Sequence, residues 1–274
     1  MICDYQTNKV YLALGLTHYM PMFKNLLYAL MTEGIPTSLP AHTKSPKHVW
    51  IRDYMPIQIN GNSFLRYVYS PDYLKGYEEY IPDYSAIDKD LKLNCISTDI
   101  VLDGGNVIKC GNKVIMTDKI LTENSARYKK NELLTKLVQL FEAEIVLIPW
   151  DRYDEYGHAD GMVRFIEGDR VLLNNYVDFD PDLRKRLLSV LNPHFEVEEL
   201  YYGSRCSKDS WAYLNFLQTK GCIFVPGLGL KEDGLAMEQI KELYPLHKVI
   251  MIDGCRSLVH DGGALNCCSW NVLE

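Results

Sequence analysis

The sequence predicts an α/β fold in which five related units form a pseudosymmetric ring, an α/β propeller. Each unit is a β-hairpin followed by a helix and a further strand. Three observations carry this expectation. Three hairpins align without gaps, each with an aspartate eight residues ahead of its turn glycine: Asp53 and Gly61, Asp103 and Gly111, Asp160 and Gly168. A fourth segment keeps the eight-residue spacing, from Tyr213 to Gly221, but lacks the acid. The fifth copy is divided between the two ends of the chain.

The first hairpin runs from Arg52 to Ile59, turns at Asn60-Gly61-Asn62 and returns as Phe64 to Tyr69. The second runs from Leu102 to Lys109 and returns as Lys113 to Thr117. The third runs from Ala159 to Ile166, turns at Gly168-Asp169 and returns as Val171 to Asn175. The fourth returns as Cys222 to Val225. Glycine beside Asn or Asp at a hairpin tip follows from the positive φ that tight turns demand. Helical spacing of Leu133, Leu134, Leu137, Val138, Leu140 and Phe141 predicts a helix over 131–142, and Ile145 to Ile148 reads as the buried strand after it. Segments 181–191 and 231–244 read as the corresponding helices of later units. In the fifth unit, Asp261 to Cys267 matches Asp103 to Lys109, and Asn8 to Leu14 supplies the missing return strand. Pairing the termini would close the ring. With no Gly/Ser/Pro-rich linker, residues 1–274 read as one domain with one shared core.

Composition narrows the function classes. A content of 47% hydrophobic and 24% charged residues describes a globular chain with a sizeable core. A net charge of −7 without a basic stripe argues against a nucleic-acid partner. No apolar run approaches the ~20 residues a membrane span needs, and no secretory signal is visible, so the expected compartment is the cytoplasm. Eight cysteines lie scattered with no C-x-x-C, which argues against zinc and for reduced, mostly buried thiols.

In a ring of related units the hairpin starts face a common centre. Asp53, Asp103, Asp160 and the Asp261–Cys267 segment are therefore expected around one channel. His158 lies two residues before Asp160, so on a strand both would point to one face. Each residue also has a bland alternative. Asp53 can pair with Arg52, Asp103 and Asp261 can serve the Gly-Gly turns that follow them, and Cys268 competes with Cys267 as the reactive thiol. The tyrosines Tyr67, Tyr69, Tyr73, Tyr77, Tyr80 and Tyr84 can wall a binding mouth or simply pack a long connection.

The same residues resemble the guanidino-modifying pentein superfamily, in particular the agmatine deiminases and bacterial-type peptidylarginine deiminases. Trp50-Ile51-Arg52-Asp53 is similar to that family's W-x-R-D, and Asp103-Gly104-Gly105-Asn106 to its acidic-G-G motif. Gly157-His158-Ala159-Asp160 matches G-H-x-D, and Gly262 to Cys267 matches G-G-x-x-H-C, with Asn266 where the family has His. The chain is shorter than typical agmatine deiminases, which implies trimmed loops over the site.

The resemblance implies hydrolysis of a guanidinium to a ureido group and ammonia, with agmatine giving N-carbamoylputrescine as the leading case. It assigns Cys267 as nucleophile, His158 as proton carrier, and Asp53 and Asp160 as the carboxylates that grip the planar, forked cation. Asp103 and Asn266 are secondary substrate-binding candidates. No metal or organic cofactor is needed for this chemistry. The expected partner is a small cationic guanidino compound, and a homo-oligomer is compatible with everything above. Arg66 and Arg164 are the nearest candidates for binding a substrate carboxylate. Peptidyl-arginine or another guanidine, an amidinotransferase, a cysteine protease and a non-catalytic binder are the rival readings.

Overall fold

The computed structural model describes residues 1–274. Its strands form five three-stranded sheets of one topology, in which a hairpin's second strand pairs antiparallel with the first and parallel with a later third. In the first hairpin Ile57–Asn60 pairs with Ser63–Val68, which pairs in parallel with Cys95–Val101. The next three sheets are Ile108–Cys110, Lys113–Thr117 and Glu144–Ile148; Val163–Glu167, Arg170–Leu173 and Glu196–Glu199; and Leu217–Thr219, Cys222–Gly227 and Lys248–Asp253. The fifth joins the two ends of the chain: Ser269–Val272 runs antiparallel to Lys9–Leu12, which pairs in parallel with Thr37–Ser38.

The helices obey their sequence signals. Lys130–Phe141 buries Leu133, Leu137 and Phe141, one per turn, and stops at Glu142 with φ 49°. Pro181–Leu191 starts with proline at its first position, capped by the Asp180 carboxylate, which accepts from the Leu183 amide at 2.9 Å. Gly111, Gly168 and Gly221 have φ of +56°, +53° and +79° at their hairpin tips. Gly61 is the exception. Its turn takes the left-handed conformation at neither Gly61 nor its neighbours, so the glycine there is not obligatory.

Three expectations need correction. The buried side chains form a larger cluster and a smaller one rather than one shared core; the smaller lies among the second and third sheets and the Pro181–Leu191 helix. Not all eight cysteines are free, because Cys3 and Cys110 form a disulfide across a Cα separation of 4.4 Å. The Tyr5 hydroxyl lies 3.4 Å from Cys110 Sγ beside this bridge, a proximity invisible across 107 residues of sequence. Finally, the acids do not begin strands. Each sits on or beside a short helical turn just ahead of its hairpin: Ile51–Tyr54, Gly104–Asn106 and Ala159–Gly161. No helix is long and apolar enough to cross a membrane.

Candidate active site

Those helical turns carry the functional side chains to one place. His158, in extended backbone just before the Ala159–Gly161 turn, sets its Nε2 2.7 Å from Asp103 Oδ2. Its Nδ1 lies 3.6 Å from Asp53 Oδ1. Asp160 Oδ2 accepts from Asn266 Nδ2 at 2.6 Å and lies 3.6 Å from Cys267 Sγ. Asp53, Asp103, His158, Asp160, Asn266 and Cys267 are thus all brought together, and all are buried.

The backbone around them is held from several sides. The Gly105 amide donates to Asp53 Oδ1 at 3.0 Å, and the Tyr67 hydroxyl donates to the Met55 carbonyl at 2.8 Å. The Arg52 amide donates to the Cys267 carbonyl (3.1 Å) and its Nε to that of Asn266 (3.2 Å). Arg52 therefore holds the Asn266–Cys267 peptide rather than pairing with Asp53.

Asn215 is the residue that sequence reasoning missed. Its Oδ1 accepts from the amides of Asn266 (3.2 Å) and Cys267 (3.3 Å) and lies 3.3 Å from Cys267 Sγ. It comes from the fourth unit, whose acid-equivalent Tyr213 instead donates to Asp233. The available signal was an amide alone in the apolar run Tyr213-Leu214-Asn215-Phe216. With Oδ1 facing two N–H donors, the orientation of the amide is settled, and its Nδ2 is left buried without a partner. The Asn266 Oδ1 and Asp103 Oδ1 atoms are likewise buried and unpartnered.

Two cavities meet at Cys267 and His158. One, of about 290 Å³, is aromatic: Trp50, Tyr69, Tyr73, Tyr77, Tyr80 and Tyr156 line it, together with Asp53. Four tyrosines of the cluster without a role in sequence thus form this wall. Tyr73 also donates to Asp103 Oδ2 at 3.1 Å. The other cavity, of about 740 Å³, mixes polar and apolar side chains and reaches Asp160 and Asn215. Arg66 and Arg164 line neither. Arg66 is bound by Asp88, and Arg164 by Asp4 at 2.8 Å.

The electrostatics follow from burial among carboxylates. Burial, then Asp160 and Asp53, push the Cys267 thiol well above its usual range. Burial, reinforced by Asp103 and Asp160, raises Asp53 to about 7 against the opposing His158. Burial disfavours a charged His158, but Asp53 and Asp103 outweigh it and raise the imidazole to about 10. The site thus sets a thiol and an imidazole among three buried carboxyl groups.

Fold and site together define a pentein with a buried cysteine, histidine and carboxylates at its centre. Residues 21–272 match the family model of the Porphyromonas-type peptidyl-arginine deiminases, and the chain belongs to that family. It is similar to the agmatine deiminase of Enterococcus faecalis, with 17% identity and a TM-score of 0.77 over 99% of this chain and 94% of that one. It is similar to C. jejuni agmatine deiminase at 18% identity and a TM-score of 0.76 over 100% of this chain and 95% of that one. A Lactococcus lactis protein provisionally named an agmatine deiminase is 22% identical over 207 residues, 62% of this chain but only 56% of that relative's length.

Proposed function

We propose that the protein hydrolyses a guanidino compound to its ureido product and ammonia, with agmatine as the leading substrate. The single observation that carries this reading is the donor–acceptor balance around Cys267. The amides of Asn266 and Cys267 are both occupied by Asn215, so neither is free to stabilise an oxyanion, as a cysteine protease would require. Asp53 and Asp160, which line the cavities that meet at Cys267, instead offer acceptors to a planar N–H donor cation, and the unpartnered oxygens of Asn266 and Asp103, buried outside both cavities, add to the acceptor excess.

In this mechanism the bound cation offsets the carboxylates and lowers the Cys267 thiol toward the thiolate. Sulfur attacks the guanidinium carbon while Asp53 and Asp160 fix it in place. His158, held by Asp103, protonates the departing ammonia and leaves a thiouronium on Cys267. Water then replaces sulfur, giving the ureido product. The same reading takes the five sheets as blades of one closed ring, which the pairing of the terminal strands supports.

Agmatine leads because Lys47 of the aromatic cavity is already paired with Glu79 at 3.1 Å, while Glu155 and Asp261 also line that cavity. A free carboxylate on the substrate would meet these acids, whereas an amine would be welcome. The test is a paired assay for ammonia and ureido product with agmatine, arginine, a blocked arginine peptide and methylated arginines. Agmatine turnover lost in Cys267→Ala and kept in Cys268→Ala supports the proposal, since Cys268 lines neither cavity. Turnover of another guanidine alone moves the substrate. Ammonia-free amidino transfer to an added amine, or binding without turnover, overturns the hydrolase reading.

A further inference from the structure

Lys119 is a cation with 2% of its side chain exposed, yet it lines neither cavity. It opens the short helical turn Lys119–Glu123 that follows the strand Lys113–Thr117. A buried ammonium needs partners, and those of Lys119 come from two separate segments. In the 150–158 loop, its Nζ donates to the Tyr156 carbonyl at 2.7 Å and lies 5.2 Å from the Trp150 ring centroid. In the 71–80 connection, it meets Asp72 Oδ1 at 3.0 Å and stands 4.7 Å over the Tyr73 ring. Glu123 Oε1, at 3.7 Å, is beyond hydrogen-bond reach, and burial, then Asp103, raises that carboxyl to about 8.

These two segments supply walls of the aromatic cavity. Tyr73 and Tyr156 both line it and meet edge to face, with ring centroids 5.1 Å apart. The segments are held differently. Thr117 and Asp118 also grip the 150–158 loop, through the Gly157 carbonyl at 2.7 Å and the Trp150 amide at 3.0 Å. The backbone of residues 72–80 bonds only to backbone within 71–81, so side chains alone attach this connection to the fold. At its far end the attachment is the Lys47–Glu79 pair, whose side chains are 42% and 53% exposed, and such pairs contribute little. At its near end the attachment is Lys119, with the Tyr73 hydroxyl fixed by Asp103 at 3.1 Å. We propose that Lys119 is the positioning residue of the substrate wall: from outside the cavity it joins the 71–80 connection to the 150–158 loop and so holds Tyr73 and Tyr156 against the stem of the bound guanidine. This role rests on the deiminase reading above. The walls touch the stem equally before and during reaction, and His158 keeps its own contact with Asp103, so the role belongs to binding more than to the chemical step.

Lys119→Met, Asp72→Asn and the double variant test it. Methionine fills the space of the lysine stem, Asp72 is exposed to water, and Glu123 is mostly protonated at neutral pH, so no buried charge is stranded. Steady-state kinetics with the best guanidine are measured beside hydrogen exchange of the backbone amides. Lys119→Met is expected to raise KM about tenfold with kcat within about twofold, and to speed exchange in both 71–80 and 150–158. Asp72→Asn should raise KM less, and the double variant should be no worse than Lys119→Met alone. An unchanged KM, a fall in kcat in its place, faster exchange in only one segment or effects that multiply in the double variant would each overturn the role. An unaltered protein that turns over no guanidine, with exchange still raised in both segments of Lys119→Met, would overturn the deiminase reading and leave the link between the walls standing.

Discussion

His158 and Asp103, 55 residues apart in the chain, are joined by a 2.7 Å contact between Nε2 and Oδ2. This contact leaves Nδ1 as the ring atom facing Asp53, so in the proposed reaction Asp103 decides which nitrogen moves a proton. Asp103→Asn is expected to lower kcat by about 100- to 10,000-fold, the range of a lost general acid–base contribution, with substrate binding largely retained. Partial recovery in Asp103→Glu, together with a high-pH limb moved to lower pH in Asp103→Asn, separates positioning from mere structural support. A variant with normal kcat would remove Asp103 from the mechanism.

The pH dependence of kcat/KM should be bell-shaped. Activity rises as Asp53, raised by burial to about 7, gives up its proton to become a cation ligand. It falls as His158, raised to about 10 by Asp53 and Asp103 against burial, can no longer donate. Stability carries the same signs. Between their unfolded values and these raised ones, both groups hold more protons folded than unfolded, so stability declines as pH rises. For Asp53 the decline spans the usual carboxylate range up to about 7, and for His158 it spans 6.5 to about 10. Thermal midpoints recorded from pH 5 to 10 should fall accordingly; a midpoint that climbs with pH would contradict both assignments.

Guanidine binding should release protons. A cation between Asp53 and Asp160 removes the reason for Asp53 to stay protonated. In Cys267→Ala, calorimetric binding heats near pH 6 should vary with the ionisation enthalpy of the buffer, and the variation should fade by pH 9. Heats independent of buffer at every pH would show that the carboxylate is already ionised.

Gly105 is required for close approach rather than for a turn. A β-carbon there would stand 2.7 Å from both Asp53 Oδ1 and His158 Nδ1. Gly105→Ala should therefore abolish turnover by displacing both side chains. Gly61→Ala, at a hairpin tip with open space around it, should retain activity and serve as the control.

Asn215 joins the fourth unit to the Asn266–Cys267 peptide. Asn215→Leu leaves the buried Cys267 amide without an acceptor, while the Asn266 amide keeps the Asn215 main-chain oxygen at 3.1 Å, and is expected to cost about 1–3 kcal/mol besides lowering kcat. Chemical denaturation and steady-state kinetics on the same preparation would measure both. Unchanged stability would mean that water or another group takes over the Cys267 amide.

The sequence by itself determined the periodic part of this protein. Five hairpins and the helices over 130–141 and 181–191 follow from local physics: hydrophobic spacing and hairpin glycines. Because Asp53, Asp103 and Asp160 occupy equivalent places in that period, their convergence with Cys267 was also legible. Tertiary structure decided what lies outside the period. Asn215 falls two residues from the repeat position, Tyr69 to Tyr80 lie in a connection with no periodic signal, and Cys3 reaches Cys110 only through packing. The division of labour among the acids was equally hidden. Equivalent positions carry the same residue type, but only distances of 2.7 and 3.6 Å distinguish the carboxylate that orients His158 from the one beside Cys267. Spacing along a chain encodes which residues share a face, whereas the neighbour each side chain meets depends on how the faces are finally packed.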